Sequence, residues 1–557
     1  MSAGELQGRT GDLAPLLVEA LPRLWGTPPE PALLEVIAAL AGALERGSLE
    51  LDLAGPAPQE VNAAGWPERH RRALAASPLT ARAEDPSDSG EAPLVLVEGR
   101  RLRWRRWHRQ LDTVLAELVQ RARTPLPLPA GEADLEQAKR RAAARGLDPR
   151  QQQAVLAALK GGLLLGGGPG TGKTSTVVEI LASQLRLRPG LRLQLAAPTG
   201  KAAARLQEAV RRGALELEAP LRTLLAGAGS STLHRLLESN GQLFGRDRRR
   251  PLELDLLVVD ELSMVDLPLM QALLEALPPR CRLVLVGDPA QLPPVGPGAV
   301  LLELQRPALQ EALGEASVLL RTTYRNNGSI AALAAELRDW SRPGLGELAT
   351  SLRRLPPEGN LRWRTARPSE GLPPALLEPL RQRQRQLERL AAAAGRARST
   401  EEGTAQGKAI EVLQSALGEL LVLSPLRRGR WGVERIHAAL LGAAAAAGPG
   451  AWPAGTPVLC CRNLPDLGLA NGDLGVLVRR SGGERSLLFG EDLWLHPAQL
   501  EGAVEPALAL TVHKAQGSEA ERVIVLLSDP DQGDSRLLYT ALTRARREAL
   551  LITPPLG

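Results

Sequence analysis

The sequence predicts an α/β fold with two parallel sheets, a helical N-terminal part and a small β-rich insertion. Three observations predict it. Between about 110 and 340, short apolar strands ("GLLLGG", "RLQLAAP", "LDLLVVDE", "CRLVLVGD") alternate with helical segments, the pattern of a parallel sheet covered on both faces. The alternation resumes after 410 with "AIEVLQSALGELLVLSP" and closes on "ERVIVLL" and "SRLLYTALTRARREAL". Within that second half, about 455 to 507 breaks into short strands split by turn signals ("ANGDLGV", "RRSGGER"), as a small barrel-like insertion does.

Taken in order, residues 1–109 open with amphipathic helices ("LAPLLVEALPRLW", "PALLEVIAALAGALERG") and a strand-like "APLVLVEG", interrupted by the turn-rich "SPLTARAEDPSDSGEAP". Residues 110–340 form the first α/β unit and 341–557 the second, which begins with a polar helix, "LRQRQRQLERLAAAAGRARSTEEG". The Ala/Gly/Pro tract "LLGAAAAAGPGAWPAG" reads as a linker into the insertion. A chain of 557 residues has ample core for three or four domains. No apolar run reaches the roughly 18 residues of a membrane span, and the N-terminus lacks a secretory pattern, so a cytoplasmic location is expected. Three Cys (281, 460, 461) make neither a disulfide framework nor a zinc knuckle.

Basic residues outnumber acidic ones by a net +6, which permits an anionic partner without proving one. Six Lys stand against 62 Arg, and Tyr occurs only at 324 and 539. Letters this scarce are enriched at positions where a substitute fails. Lys173, Lys201 and Lys514 are therefore worth following.

"GGPGTGKT" (Gly167, Gly168, Pro169, Gly170, Thr171, Gly172, Lys173, Thr174) lies between an apolar strand and a helix. Its glycines let backbone N–H groups wrap phosphates, and the helix N-terminus adds a positive dipole end. Lys173 is expected to reach the β- and γ-phosphates of ATP and Thr174 to bind Mg²⁺. "LDLLVVDELSM" ends an apolar strand in Asp260, a second Mg²⁺ ligand, and Glu261, a base for the attacking water. In "VGDPAQLPPVGPG", Gln291 can bond both phosphate and water, the chemistry of a γ-phosphate sensor.

In this order, the three motifs resemble those of superfamily 1 helicases of the RecD-like branch. "LDPRQQQAV" is similar to that family's glutamine motif, with Gln151 placed to read adenine. "APTGKAAARLQE" and "STLHRLL" resemble its DNA-contacting motifs, which makes Thr199, Lys201, Thr232 and His234 candidates for DNA. "LRTTYRNNGSI" and "LLYTALTRAR" resemble the motifs that carry arginine fingers, here Arg325 and Arg544. "TVHKAQGSE" adds Thr511, His513 and Lys514 as DNA contacts of the second unit, with Gln516, Gly517 and Ser518 leading toward the ATP cleft. "LSPLRRGRWGV" and "NLPDLGLANGDLG" complete the set.

The resemblance implies two RecA-like motor domains, an SH3-like insertion and an N-terminal subunit-interaction domain. It also implies 5′→3′ movement on single-stranded DNA from duplex ends, beside RecB-like and RecC-like subunits. Such an assembly, exonuclease V, acts in double-strand break repair and recombination.

One segment keeps two readings. "GRRLRWRRWHRQL" (99–111) fits a nucleic-acid patch and equally a solvated edge leading into a helix. His437 stands where the family more often has Asn, while His70, His108 and His496 read as structural. Nucleases of the restriction type need acid-x-Lys, and no Lys here has Asp or Glu two positions earlier, so no nuclease centre of that type is expected. A standalone RecD-like helicase would carry a longer N-terminal region with hairpin glycines, and a relaxase-helicase would need a His-x-His pair. The remaining rival is an ATP-dependent DNA clamp that binds without unwinding.

Overall fold

A computed structural model describes residues 13–26, 28, 30–85, 90–124, 130–323, 328–339, 345–356, 358–396, 403–529 and 534–555. The chain is a mixed α/β protein, with four sheets among the described residues. At the N-terminus, the helices Leu13–Leu24, Pro31–Glu45 and Glu68–Ala76 accompany a sheet of β1 (Glu50–Asp52), β2 (Thr80–Arg82), β3 (Leu94–Val97) and β4 (Arg101–Trp104), ordered β1-β4-β3-β2. The sequence pattern announced only β3. The β3–β4 connection has Glu98 and Gly99 both at positive φ (51° and 62°), the backbone that a tight hairpin between right-twisted strands requires. Leu33, Ile37, Leu40, Leu94 and Leu102 fill the core beneath it.

The helix Arg105–Arg123 follows β4 directly, and Leu111, Val114, Leu115 and Leu118 recur on one face at helical spacing. That face is buried with Leu257, Val259 and Leu285 against the next sheet. This sheet holds β5 (Leu163–Gly167), β6 (Leu193–Ala197), β7 (Gly229–Thr232), β8 (Leu256–Val259), β9 (Arg282–Gly287) and β10 (Ser317–Leu320). All its pairings are parallel, in the order β10-β5-β9-β8-β6-β7. Strands β5, β8 and β9 are buried along their whole length, which is why they read as unbroken apolar runs rather than alternating ones.

A second parallel sheet, β11-β20-β19-β12-β18, is made of β11 (Leu361–Thr365), β12 (Leu420–Ser424), β18 (Leu510–Thr511), β19 (Ala520–Leu526) and β20 (Ala545–Thr553). Between β12 and β18 the chain leaves to form an antiparallel sheet, β16-β15-β14-β13-β17. Its strands are β13 (Pro457–Cys460), β14 (Leu474–Arg479), β15 (Arg485–Phe489), β16 (Leu493–Leu495) and β17 (Val504–Pro506). The tract expected to be a linker contributes structure: Trp452 is buried with Leu477, Leu487 and Phe489 in this sheet's own core. Among the described residues, no helix is long and apolar enough to cross a membrane.

The arginine-rich stretch after Gly99 resolves toward the edge-and-helix reading. Arg100 pairs with Asp52, Arg101 with Glu98, and Arg103 with Glu50 and Glu303. Arg105 and Arg109 bond the carbonyls of Ala92 and Gly90. His70, fully buried, meets Glu35 at 2.9 Å, and His496 caps a short turn through Ala498 N. His437 is buried, its Nε2 3.0 Å from the Ala509 carbonyl oxygen.

Candidate nucleotide cleft and nucleic-acid interface

Ligands of open parallel sheets sit outside the carboxyl ends of the strands, and here three strand ends converge. Strand β5 runs into the loop Gly168–Gly172, where Gly170 and Gly172 have φ of +74° and +79°, values an L side chain rarely adopts. Thr171 Oγ1 donates to Gly168 O at 2.8 Å and closes the turn. Lys173, the first residue of the Lys173–Leu187 helix, donates through Nζ to Gly167 O at 2.6 Å and Gly168 O at 2.9 Å. At Gly168 there is no room for a side chain: a Cβ there would lie 2.8 Å from Tyr539 Oη. Gln151 supports the loop from behind, its Nε2 donating to Thr171 O at 3.1 Å and its Oε1 accepting from Asp148 N at 2.9 Å. Buried and engaged at both ends of its amide, it braces the phosphate loop, a placement that the adenine expectation did not include.

Strand β8 delivers Asp260, whose Oδ1 accepts from Glu261 N at 2.8 Å. Burial, and after it the Glu261 carboxylate, pushes the Asp260 carboxyl up to about 6, although Lys173 opposes the shift. Glu261 itself is left-handed (φ 53°), a strain of roughly 1–2 kcal/mol for a residue with a side chain. Strand β9 delivers Asp288 and Gln291, both buried.

Across a cleft of about 720 Å³, the end of the second parallel sheet faces these groups. Arg544, 3 % exposed, donates to Gln291 Oε1 at 2.7 Å and to the carbonyls of Thr540 and Ser518 at 3.1 Å and 3.4 Å. Tyr539, also buried, donates its hydroxyl to Asp288 Oδ2 at 2.8 Å, and burial raises its phenol well above the usual range. Gln291 Nε2 completes the chain with a 3.3 Å bond to the same Asp288 oxygen.

Lys173, Thr174, Asp260, Glu261, Gln291 and Arg544 therefore line one cavity. Arg325 lies outside the described residues. The sequence did not single out Asp288, Thr540, Arg205 and Glu519, although Arg205 and Glu519 line the same cleft. Only the scarcity of Tyr pointed toward Tyr539.

The donor set fits a nucleoside triphosphate with its cation. Backbone amides cradle anions, Lys173 is free to turn from two carbonyls to phosphate, and a hydroxyl and a carboxylate stand where a hard cation prefers oxygen. Among the described residues, no group of three or more His, Cys, Asp or Glu could hold a metal ion, so phosphate oxygens would have to share this one.

The DNA candidates divide into two groups. Thr199 follows the end of β6 and Thr232 ends the neighbouring β7, Ala197 and Thr232 being paired in register, and each caps the helix after it through its hydroxyl. His234 stands 6.2 Å from the Phe244 ring, its imidazole held below its ordinary value by burial. Lys201 donates to Ser518 Oγ at 3.0 Å, and burial, then Arg205, pushes its ammonium down to about 8. On the second unit, Thr511 Oγ1 accepts from Lys514 N at 3.3 Å and His513 is exposed. Lys514 does not present the bare cation expected. Glu505, at the end of the insertion, accepts from its Nζ at 2.6 Å, because β17 returns the chain beside β18.

A family model for an AAA domain matches residues 151–297, and one for a UvrD-like helicase C-terminal domain matches residues 506–552. The chain is 36% identical to the RecBCD enzyme subunit RecD of Mycolicibacterium smegmatis, over 97% of this chain and 93% of that one. It is 36% identical to the subunit of the same name from Mycobacterium tuberculosis, over 93% and 86%. An ATP-dependent RecD2 DNA helicase of Deinococcus radiodurans is 32% identical over 72% of this chain and 48% of its own length.

Proposed function

This chain belongs to the RecD family, and we propose that it is the ATP-dependent 5′→3′ DNA helicase subunit of a RecBCD-type helicase/nuclease. Its work is then double-strand break repair and homologous recombination, on single-stranded DNA entered from duplex ends, with RecB-like and RecC-like subunits as partners. The near full-length match to the RecD subunits favours this over a standalone helicase, since the RecD2 relative matches over less than half its length. The two parallel sheets are assigned to RecA-like motor domains (110–340 and 341–557), the antiparallel sheet to an SH3-like insertion (about 455–507), and residues 1–109 to subunit interaction.

The observation that carries the reading is the Gln291–Arg544 bond, which joins the two parallel sheets across the cleft that holds Lys173, Asp260 and Glu261. ATP bound there would supply the free energy of its hydrolysis, and Thr174 and Asp260 would hold a Mg²⁺ that neutralises phosphate charge. Lys173 turns its ammonium from the loop carbonyls to the phosphates. Glu261 accepts the proton of the attacking water on its carboxylate. Gln291 reports the terminal phosphate to Arg544, and Arg325 serves as the second finger. Thr199, Lys201, Thr232, His234, Thr511, His513 and Lys514 lie along the path assigned to DNA. For Lys201 and Lys514 this requires exchanging Ser518 and Glu505 for phosphate as the units move.

Unwinding of a 5′-tailed duplex against a 3′-tailed one, with and without partner subunits, tests the proposal. Only the 5′-tailed substrate should open, and Lys173→Ala should abolish it. DNA-stimulated hydrolysis with neither duplex opened would favour the clamp. Mg²⁺-dependent strand cleavage by the isolated chain would refute the expectation that it has no nuclease centre of its own.

A further inference from the structure

Residues 288–298, "DPAQLPPVGPG", leave the end of β9, and different parts of the chain hold their two ends. At the near end, next to Gln291, Leu292 N donates to Thr540 Oγ1 at 2.8 Å and Leu292 O accepts from Gln516 Nε2 at 3.1 Å. The Leu292 side chain is buried in the core of the second parallel sheet.

At the far end, the N-terminal part takes hold. Gly298 N donates to Gly47 O at 3.1 Å. Gly47 has φ +81°, and a Cβ there would stand 3.1 Å from Val295 O and 3.4 Å from Gly296 O. A Cβ on Gly298 would lie 2.7 Å from Leu49 Cδ1, so backbone and side chain are in direct contact. Leu49 belongs by sequence to the N-terminal part, yet it is buried in the core of the first parallel sheet with Leu267 and Leu301. One residue on, Glu50 meets Arg103 at 2.7 Å and Arg306 at 3.0 Å, and Glu303 meets the same two arginines at 3.3 Å and 2.8 Å. This network locks β1 to the helix Val300–Leu304, which begins two residues after Gly298.

Between the two grips the crest is open, with Val295 70% exposed. Pro289, Pro293, Pro294 and Pro297 fix their own φ, so the segment is stiff and a shift at one end reaches the other. We infer that Gly47, Leu49 and Glu50 are positioning residues for Gln291. By clamping residues 295–298 they hold the sensor amide against Arg544, although among the described residues none of the N-terminal part lines the cleft. A partner bound to the N-terminal part then acts on hydrolysis through this strap. The inference rests on the reading of Gln291 as the γ-phosphate sensor.

The test is steady-state DNA-stimulated ATP hydrolysis by the full chain, with kcat and KM determined separately. Leu49→Ala should lower kcat about tenfold with KM for ATP nearly unchanged, since small misplacements of a catalytic group cost about that much or more. Leu49→Met should restore the rate, and Glu50→Gln, which keeps the shape and loses the charge, should lower kcat in the same direction. Leu74→Ala loosens the N-terminal core without touching the strap, and should lower thermal stability while leaving kcat alone. Gln291→Ala separates the two readings. If it keeps full kcat, the sensor reading fails and this inference goes with it. If it loses kcat while Leu49→Ala and Glu50→Gln keep theirs, the sensor stands and the inference is overturned. A loss of kcat in Leu74→Ala equal to that in Leu49→Ala also overturns it, since general loosening would then suffice.

Discussion

Asp260 shows at the scale of one side chain how the cleft is held out of its own equilibrium. Its folded value of about 6 lies above the ordinary 3.8, with burial the main cause and Glu261 the next. The folded chain therefore binds this proton more tightly than the unfolded one, and stability from this group is lost as pH rises from about 4 to about 6. At neutral pH the ionised carboxylate is a cost to the apoprotein, and a cation offsets it. Asp260→Asn keeps an acceptor for Glu261 N and removes the charge. It should abolish hydrolysis and yet raise the Tm of the metal-free protein at pH 7, by about 1 °C per kcal/mol relieved for a chain of this length, with the gain vanishing near pH 4. Calorimetry at the two pH values decides it; an equal or lower Tm at pH 7 would mean that the carboxylate is not strained there. Lys514 makes the complementary point. Its letter marked it as unusual, but a sequence cannot show that Glu505 returns to within 2.6 Å of it.

At the scale of elements, the seam between the parallel sheets is the helix Gly200–Ala214 set against the turn that joins β18 to β19. Lys201 reaches Ser518, and Arg205 reaches Gly517 O at 2.8 Å and Glu519 at 2.7 Å. The Gly517 backbone, at φ +72°, offers its carbonyl to that guanidinium. Arg205 thus ties one turn of the second unit, at two points, to one helix of the first, and its planar fork suits two separated acceptors as an ammonium does not. Arg205→Ala should lower DNA-stimulated kcat about tenfold, and Arg205→Lys should recover little of it. A full rate in Arg205→Ala would show that the seam does not depend on this contact. The elements themselves were largely legible. Strands β5, β8 and β9 announce themselves as apolar runs because both their faces are buried, and the phosphate loop because its glycines are required by local backbone angles. Strands β1, β2 and β4 were not, being three or four residues long with charged residues breaking their apolar pattern.

At the scale of the whole molecule, what escaped the sequence is what joins distant segments. Glu303 meets Arg103 across 200 residues and Gln291 meets Arg544 across 253, separations over which no periodicity speaks. Gln291 and Arg544 were each legible as motif residues; that they touch was not. The contact makes the two side chains one device rather than independent contributors. Residues that act as a unit are strongly non-additive. Gln291→Ala and Arg544→Ala should each lower kcat, by roughly a hundredfold to a thousandfold for a lost transition-state donor. The double variant should be little worse than Arg544→Ala alone, because Arg544 without its partner amide has already lost its placement. Independent roles would instead multiply the two losses, and a full double-mutant cycle on kcat distinguishes these outcomes. The same cycle on unwinding tests whether the joined pair also carries the stroke. If the hydrolysis losses are coupled while the unwinding losses multiply, the bond between Gln291 and Arg544 times the chemistry, and motion along DNA is transmitted elsewhere, the Arg205 seam being the next place to look.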